Sequence, residues 1–460
     1  MKTFTEDQSG NNVDYTLFPY VAQGGLKPLH VKNADGIFFY DDHKKKYIDF
    51  SSQYMNVNIG HGHPAVMNAV IDQMLSFSYM NPSFATDARG ELGLELAKLL
   101  PRNLTKTFFT LGGSDAIDSA VQIARRYTGR SKIITMSRSY HGGTYSALSL
   151  SGDPRRLLAG DHTMRDVVRV DNPYFYRCPW GSKTFEECGI NCVANLETVI
   201  EVQGGETIAA IVLEGESGTS GCIKYPPNFW KLVRSICDKY GILLVDDEVM
   251  SGFGRTGKMF AIEHHDVLPD IMCMAKGITS GYLPLGAVAV SEKISSFFDD
   301  HALPCGFTCS AHPVSCAAAL AVLNVYKEEQ LVENASKMGQ YIYKKLEELS
   351  SIHPSIGDFR ITGLLGCIEL VKDRSTKERI TATIDGTDNM EVMNKIDSVF
   401  KELGLFTLLR WNLIFIAPPL CITKEQIDDA FEILSAGLSE ADKYCNQLCL
   451  HTEHLTANIA

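Results

Sequence analysis

The 460-residue chain lacks an apolar run near the roughly 18–20 residues that a membrane-crossing helix needs. Its first residues, MKTFTEDQSG, lack the apolar stretch of a secretory signal. A membrane anchor is therefore not expected, and a cytoplasmic location is. Basic residues are also in deficit: 43 Lys and Arg face 55 Asp and Glu, a net charge of −12. A field of that sign argues against a face that tracks nucleic-acid phosphates. The 13 cysteines form no CxxC pairs of structural-zinc type. Cys178, Cys188 and Cys192 cluster, and Cys305 and Cys309 make a CxxxC pair. Their odd number and irregular spacing fit reduced thiols, and no metal is expected. Repeats, low-complexity tracts, a P-loop and a G-x-G-x-x-G dinucleotide fingerprint are missing too.

What remains is a chain with 45% hydrophobic and 21% charged residues, able to bury a large core. Between about residues 61 and 325, short apolar runs alternate with amphipathic helical segments. The runs are KTFFTLGG, SKIITMS, IAAIVLEG, GILLVDDEV, DIMCMAKG and LGAVAVS. Strands without polar alternation, separated by helices, predict a mostly parallel α/β sheet buried on both faces. SDAIDSAVQIARRYTG reads as a helix with a serine cap and a terminal glycine. A helix is expected after Pro64, with Val66, Ala69, Val70 and Met74 near one stripe. Residues 1–60 begin with short strands around the Asp41–Lys46 turn. Residues 326–460 read as α+β: a long charged helix over Asn324–Ser350, two β-like pieces, and a helix from near Thr423. The two chain ends together are expected to form a smaller domain beside the 61–325 domain. The final stretch, CNQLCLHTEHLTANIA, carries no interpretable pattern.

In an open α/β sheet, ligands bind beyond the carboxyl ends of the strands, so polar residues directly after each apolar run carry the information. Gly112-Gly113-Ser114 opens a helix and suits a phosphate, although a serine cap explains it equally well. Tyr140-His141-Gly142-Gly143 offers an aromatic face for a planar ring, or an aromatic packed under a turn. Asp246-Asp247-Glu248 would be costly to bury unpaired, which favours a cation or protonated heterocycle over a solvated strand end. Lys276 caps DIMCMA and either snorkels to water or, held dry, becomes a nucleophilic amine. Thr308, in the GFT loop, is either a cap or a ligand. An imine-forming lysine, an acid for a ring nitrogen, an aromatic face and a phosphate seat together describe a pyridoxal-phosphate pocket.

These residues resemble the class III aminotransferases of the fold-type I pyridoxal-phosphate superfamily, from GIFFYDD through APPLCIT. The most specific stretch is LLVDDEVMSGFGRTGKMFAIEHHDVLPDIMCMAKGITSGYLPLGAV, supported by GGSDA, SYHGGT and GFTCSAHPVSCAAAL. The resemblance implies an α/β fold with a large cofactor-binding domain and a smaller α+β domain. It assigns Lys276 to an imine with pyridoxal 5′-phosphate and Asp247 to the pyridinium nitrogen. Tyr140 and Val249 would flank the ring, with His141 nearby. Gly113 and Ser114 would take the phosphate, and Thr308 would reach in from a partner subunit, which implies a homodimer or a dimer of dimers. Arg410 would grip the carboxylate of a 2-oxo acid, with Glu214 offsetting it, although Gly215 stands where relatives have proline. Asp115 stands where relatives often have glutamate. Tyr54, Met55, Trp180 and Trp411 are candidate pocket walls. The implied reaction moves an amino group from an ω-amine (taurine, β-alanine or 4-aminobutyrate) to pyruvate or 2-oxoglutarate. An aminomutase, a decarboxylating relative or a non-catalytic cofactor-binding regulator are the alternatives.

Overall fold

The computed structural model describes residues 8–160, 164–381 and 390–445. The carboxyl-terminal stretch beyond Cys445 lies outside them. Seven strands form the central sheet, in the spatial order Leu104–Thr110, Gly286–Ser291, Ile271–Met274, Leu243–Asp247, Ile208–Glu214, Lys132–Met136 and Val167–Val170. Only Gly286–Ser291 runs antiparallel to its neighbours; the other pairings are parallel. Every residue of the Ile208–Glu214, Leu243–Asp247 and Ile271–Met274 strands is buried. That is the expected result for runs without polar alternation between two helical layers.

The edge strand Val167–Val170 escapes the sequence reading because it is four residues long and mostly half-buried. A four-stranded sheet joins Val31–Asp35, Phe38–Asp41 and Lys46–Asp49 to Leu405–Phe406, which pairs parallel with Lys46–Asp49. The two chain ends thus share one sheet. A second sheet from the later part holds Ile356–Thr362, Leu365–Asp373, Leu413–Ile416 and Leu409–Arg410. A single apolar core runs from Ile37 to Ala441 through all three sheets.

Three local expectations need correction. The long charged helix is two helices, Pro313–Glu328 and Leu331–Ile352, because Gln330 between them takes a left-handed conformation (φ 50°). The serine does not cap Gly113–Thr128; Gly112 holds that position and offers no side-chain bond. Gly129 closes this helix in the left-handed region as expected. In Pro64–Ser76 only Val66 is buried, while Met67, Ile71, Met74 and Leu75 are exposed on the single chain.

Candidate active site

The carboxyl ends of the parallel strands converge on a cavity of about 220 Å³. Gly113, Ser114, Tyr140, His141, Glu214, Asp247, Val249 and Lys276 line it, joined by Thr219 and Met250. With Gly142, nine of the residues singled out from sequence therefore meet in one place.

Its floor is acidic and dry. Asp247 ends its strand opposite Glu214 in the adjacent strand. One Asp247 oxygen accepts the Val249 N–H at 3.0 Å, and the other lies 2.7 Å from His141 Nδ1. A carboxylate of this kind accepts, so Nδ1 donates. His141 Nε2 contacts Thr135 Oγ1 at 3.0 Å, and the His141 amide donates to Ser151 Oγ at 2.9 Å. Burial disfavours the imidazolium, but the bond to Asp247 and its charge outweigh burial and raise the His141 pKa. Asp247 is thus held from behind by a fixed imidazole.

Lys276 follows the Ile271–Met274 strand in a left-handed conformation, φ 46°, which a lysine adopts only at a cost. Burial lowers its pKa to about 8, against the opposing pull of Asp247 and Glu214. A neutral amine is therefore far more accessible here than on a surface lysine. Burial also pushes Glu214 up to about 7, although the His141 charge opposes it, and the Gly218 N–H donates to Glu214 Oε1 at 3.1 Å. Gly215 donates its N–H to the Asp247 carbonyl at 3.0 Å, a bond that a proline would forfeit. Asp115 sits in the first turn of its helix, where burial raises its pKa.

The phosphate end is built from close approach. The first turn of Gly113–Thr128 presents amides that no side chain caps. A Cβ on Gly113 would sit 2.6 Å from Val249 Cγ1, so only glycine fits. Ser114 Oγ accepts the Gly143 N–H at 3.0 Å and ties the two loops together.

At the mouth, sequence reasoning missed the organising residues. Arg155 lies over the Tyr140 ring at 3.5 Å and forks onto Asp153 at 3.0 and 3.2 Å. It also reaches Thr219 Oγ1 at 3.3 Å. Arg410 binds the same Asp153 at 2.7 Å and packs over the Trp411 ring. Burial raises the Asp153 pKa, but Arg410 and Arg155 reverse that and lower it. Tyr20 closes the side, its hydroxyl 3.3 Å from that of Tyr140. Arg410 pairs here with Asp153 rather than with the expected Glu214, the chain bringing residues 153 and 410 together from distant segments. The only hint in the sequence was GDPRR, an acid and two arginines after a short apolar helix.

Three expected wall residues lie elsewhere, and Thr308, expected to serve a partner subunit, stands outside this cavity. Met55 is buried in an apolar cluster with Met250 and Leu413 and does not line the cavity. Tyr54 is 69% exposed. Trp180 packs on the main core. Thr308 is exposed in its loop, where its carbonyl accepts the Tyr79 hydroxyl at 2.8 Å; it caps no helix.

A caged acid, a depressed-pKa lysine and an uncapped helix start, all in one cleft, fit pyridoxal phosphate. Comparison with known proteins agrees. The model of the class-III aminotransferases matches residues 20–438, and the chain belongs to that family of pyridoxal-phosphate enzymes. A taurine:2-oxoglutarate aminotransferase from Bifidobacterium kashiwanohense, solved with PLP and glutamate, superposes with a TM-score of 0.91 at 36% identity, covering 96% of this chain and 99% of that one. A leucine/methionine racemase of Thermococcus litoralis is 35% identical, covering 93% of this chain and 94% of its own. A putrescine–pyruvate aminotransferase of Pseudomonas aeruginosa is 32% identical over 89% of this chain and 90% of its own.

Proposed function

We propose that the protein transfers an amino group from an ω-amine, of the taurine, β-alanine or 4-aminobutyrate type, to a 2-oxo acid. The observation that carries this reading is the pair of guanidiniums, Arg410 and Arg155, on the single carboxylate of Asp153. Two cations against one anion leave a positive balance at the mouth of a cavity whose floor is acidic. An acceptor carboxylate can pair bidentately with Arg410 in exchange for Asp153. Arg155 then offers a second anchor for a far carboxylate or sulfonate, which favours 2-oxoglutarate over pyruvate as acceptor. When an amine without an α-carboxylate enters, Asp153 keeps Arg410 neutralised, so one site serves both half-reactions.

Bound pyridoxal phosphate supplies an electrophilic carbon and an electron sink. Lys276 Nζ would take a proton from the donor carbon and deliver it to C4′ of the bound cofactor, a role that a pKa near 8 suits. Asp247, held by His141 and the Val249 amide, would keep a proton on the nitrogen of the bound cofactor. Tyr140 and Val249 would hold its ring, and Gly113, Ser114 and the uncapped helix amides would hold its phosphate. Donor product leaves before the acceptor binds, giving ping-pong kinetics.

A homodimer belongs to this reading, with Thr308 serving the neighbouring subunit's phosphate seat. The exposed apolar face of Met67, Ile71, Met74 and Leu75, with Tyr79 and Phe84 nearby in sequence, supports it. A reducing, cytoplasmic setting fits the twelve described cysteines, all free thiols.

The test is an absorbance spectrum of the holoenzyme with taurine, β-alanine or 4-aminobutyrate added separately. The visible cofactor band should bleach with one donor and return with 2-oxoglutarate. A band that no ω-amine bleaches would overturn the donor class. Rearrangement, decarboxylation or racemisation without any 2-oxo acid would overturn the transfer itself.

A further inference from the structure

A second cavity, about 420 Å³, is lined by Asp153 and Trp411 among others and shares no lining residue with the first. Three arginines line it: Arg138, Arg177 and Arg379. They come from the turn after Lys132–Met136, a short 3-10 turn, and the Glu378–Arg379 strand. Arg177 Nε donates to Glu369 at 2.6 Å, but its Nη2 is buried with no hydrogen-bond partner. Arg138 lies over the Tyr174 ring, 5.1 Å from its centroid, and its guanidinium has no ion pair among the described residues. Arg379 likewise has none.

Nearby acids do not balance this charge. Glu369 is shared between Arg177 and Arg360 and accepts the Tyr174 hydroxyl. Asp358 pairs with Arg360. Asp153, which lines the cavity, is committed to Arg155 and Arg410. Asp171 lines the cavity but is exposed to water. Burial, then the neighbouring Arg177 and Arg138 charges, push the Arg379 pKa down. Gathering like charges around a cavity is costly unless an anion offsets them. A buried guanidinium donor without a partner adds to that cost.

We propose that this arginine-lined cavity binds a small multivalent oxyanion, a polycarboxylate or a phosphate ester, at a site separate from the acceptor seat. Planar guanidiniums favour the paired oxygens of carboxylate or phosphate. Arg177 Nη2 is a buried donor without a partner, and Arg138 and Arg379 supply charge. Tyr174 and Trp411 give the cavity apolar sides. The inference does not depend on which amine is the donor, because binding is read without turnover.

The experiment is calorimetric titration of the pyridoxal-phosphate holoenzyme, whose phosphate seat is filled, with citrate and separately with inorganic phosphate. At least one probe should bind saturably. Arg379→Gln and Arg138→Gln should each weaken it by about tenfold or more, the loss expected for one charged hydrogen-bonding partner. Arg410→Gln, which removes one of the two cations on Asp153 at the cavity wall, should weaken it less than Arg379→Gln does. Arg379→Gln should also retain basal turnover, and it alone decides the question where Arg138→Gln fails to fold. Saturation by citrate alone identifies a polycarboxylate site, and by phosphate alone a phosphate site. Saturable binding of neither probe, unchanged affinity in Arg379→Gln and Arg138→Gln, or a larger loss on Arg410→Gln than on either of them would overturn the proposal.

Discussion

The floor and the mouth of the active site are built by opposite means. The floor comes from consecutive strands of one buried sheet: Glu214, Asp247 and Lys276 each stand at or just beyond a strand's carboxyl end. Its charges are desolvated, so their pKa values move toward neutrality, down for Lys276 and up for Glu214. The mouth is gathered from remote segments, Tyr20, Tyr140, Asp153–Arg155 and Arg410–Trp411, and its charges stay ionised by pairing. Burial shifts protonation at the floor, whereas pairing keeps charge permanent at the mouth.

The largest way to break this contrast is Lys276→Ala. It should reduce turnover by about 10³-fold or more, because the proton transfer it serves contributes on that scale. Steady-state rates with saturating pyridoxal phosphate check it, and retained turnover would move the proton transfer to another group. A smaller effect is expected at the mouth. Arg410→Gln should raise the acceptor KM by about 10–100-fold, in line with a lost charge-assisted pair. Arg155→Gln should raise the KM for 2-oxoglutarate more than that for pyruvate. Equal effects on both acceptors would deny Arg155 a contact with the far carboxylate.

A pH dependence sharpens the floor. The neutral form of Lys276 is the one that attacks, and its pKa near 8 is depressed below that of a free lysine. The rate of covalent capture of pyridoxal phosphate by cofactor-free protein should therefore rise as pH increases toward about 8 and level off above it. Stopped-flow absorbance measures this, and a rise continuing to pH values typical of free lysine would show an undesolvated amine. The smallest effect is structural. A Cβ at Gly215 would lie 2.7 Å from the Glu248 carboxyl, so Gly215→Ala should destabilise the fold by about 1–3 kcal/mol. A lower Tm with unchanged ping-pong kinetics is the expected readout.

The difference between floor and mouth also explains what could be read from the chain. Asp247 and Lys276 stand out because an apolar run announces a buried strand and the next polar residue marks its end. Gly113 and Tyr140 follow by the same logic at the ends of their strands. Asp153 and Arg155 carry no such local mark, and their partner Arg410 is far away in the chain. Met55 looked like a wall residue, yet its side chain turns into the apolar cluster around Leu413. The break at Gln330 escaped because the apolar periodicity continues across it and only the backbone angle changes. Ser114 looked like a cap and instead bridges to Gly143, a contact set by the fold of a separate loop.

By itself, the sequence determined the buried mostly parallel sheet, the strand-end positions of Asp247 and Lys276, and the family, because each depends on short-range pattern. Period, strand length and the residue that ends a strand are local properties of the backbone. Only the tertiary structure decided which carboxylate neutralises Arg410, which arginine covers Tyr140, and that three further arginines surround a second cavity. Those facts depend on Coulomb and packing contacts between residues far apart in the chain, which local pattern does not encode.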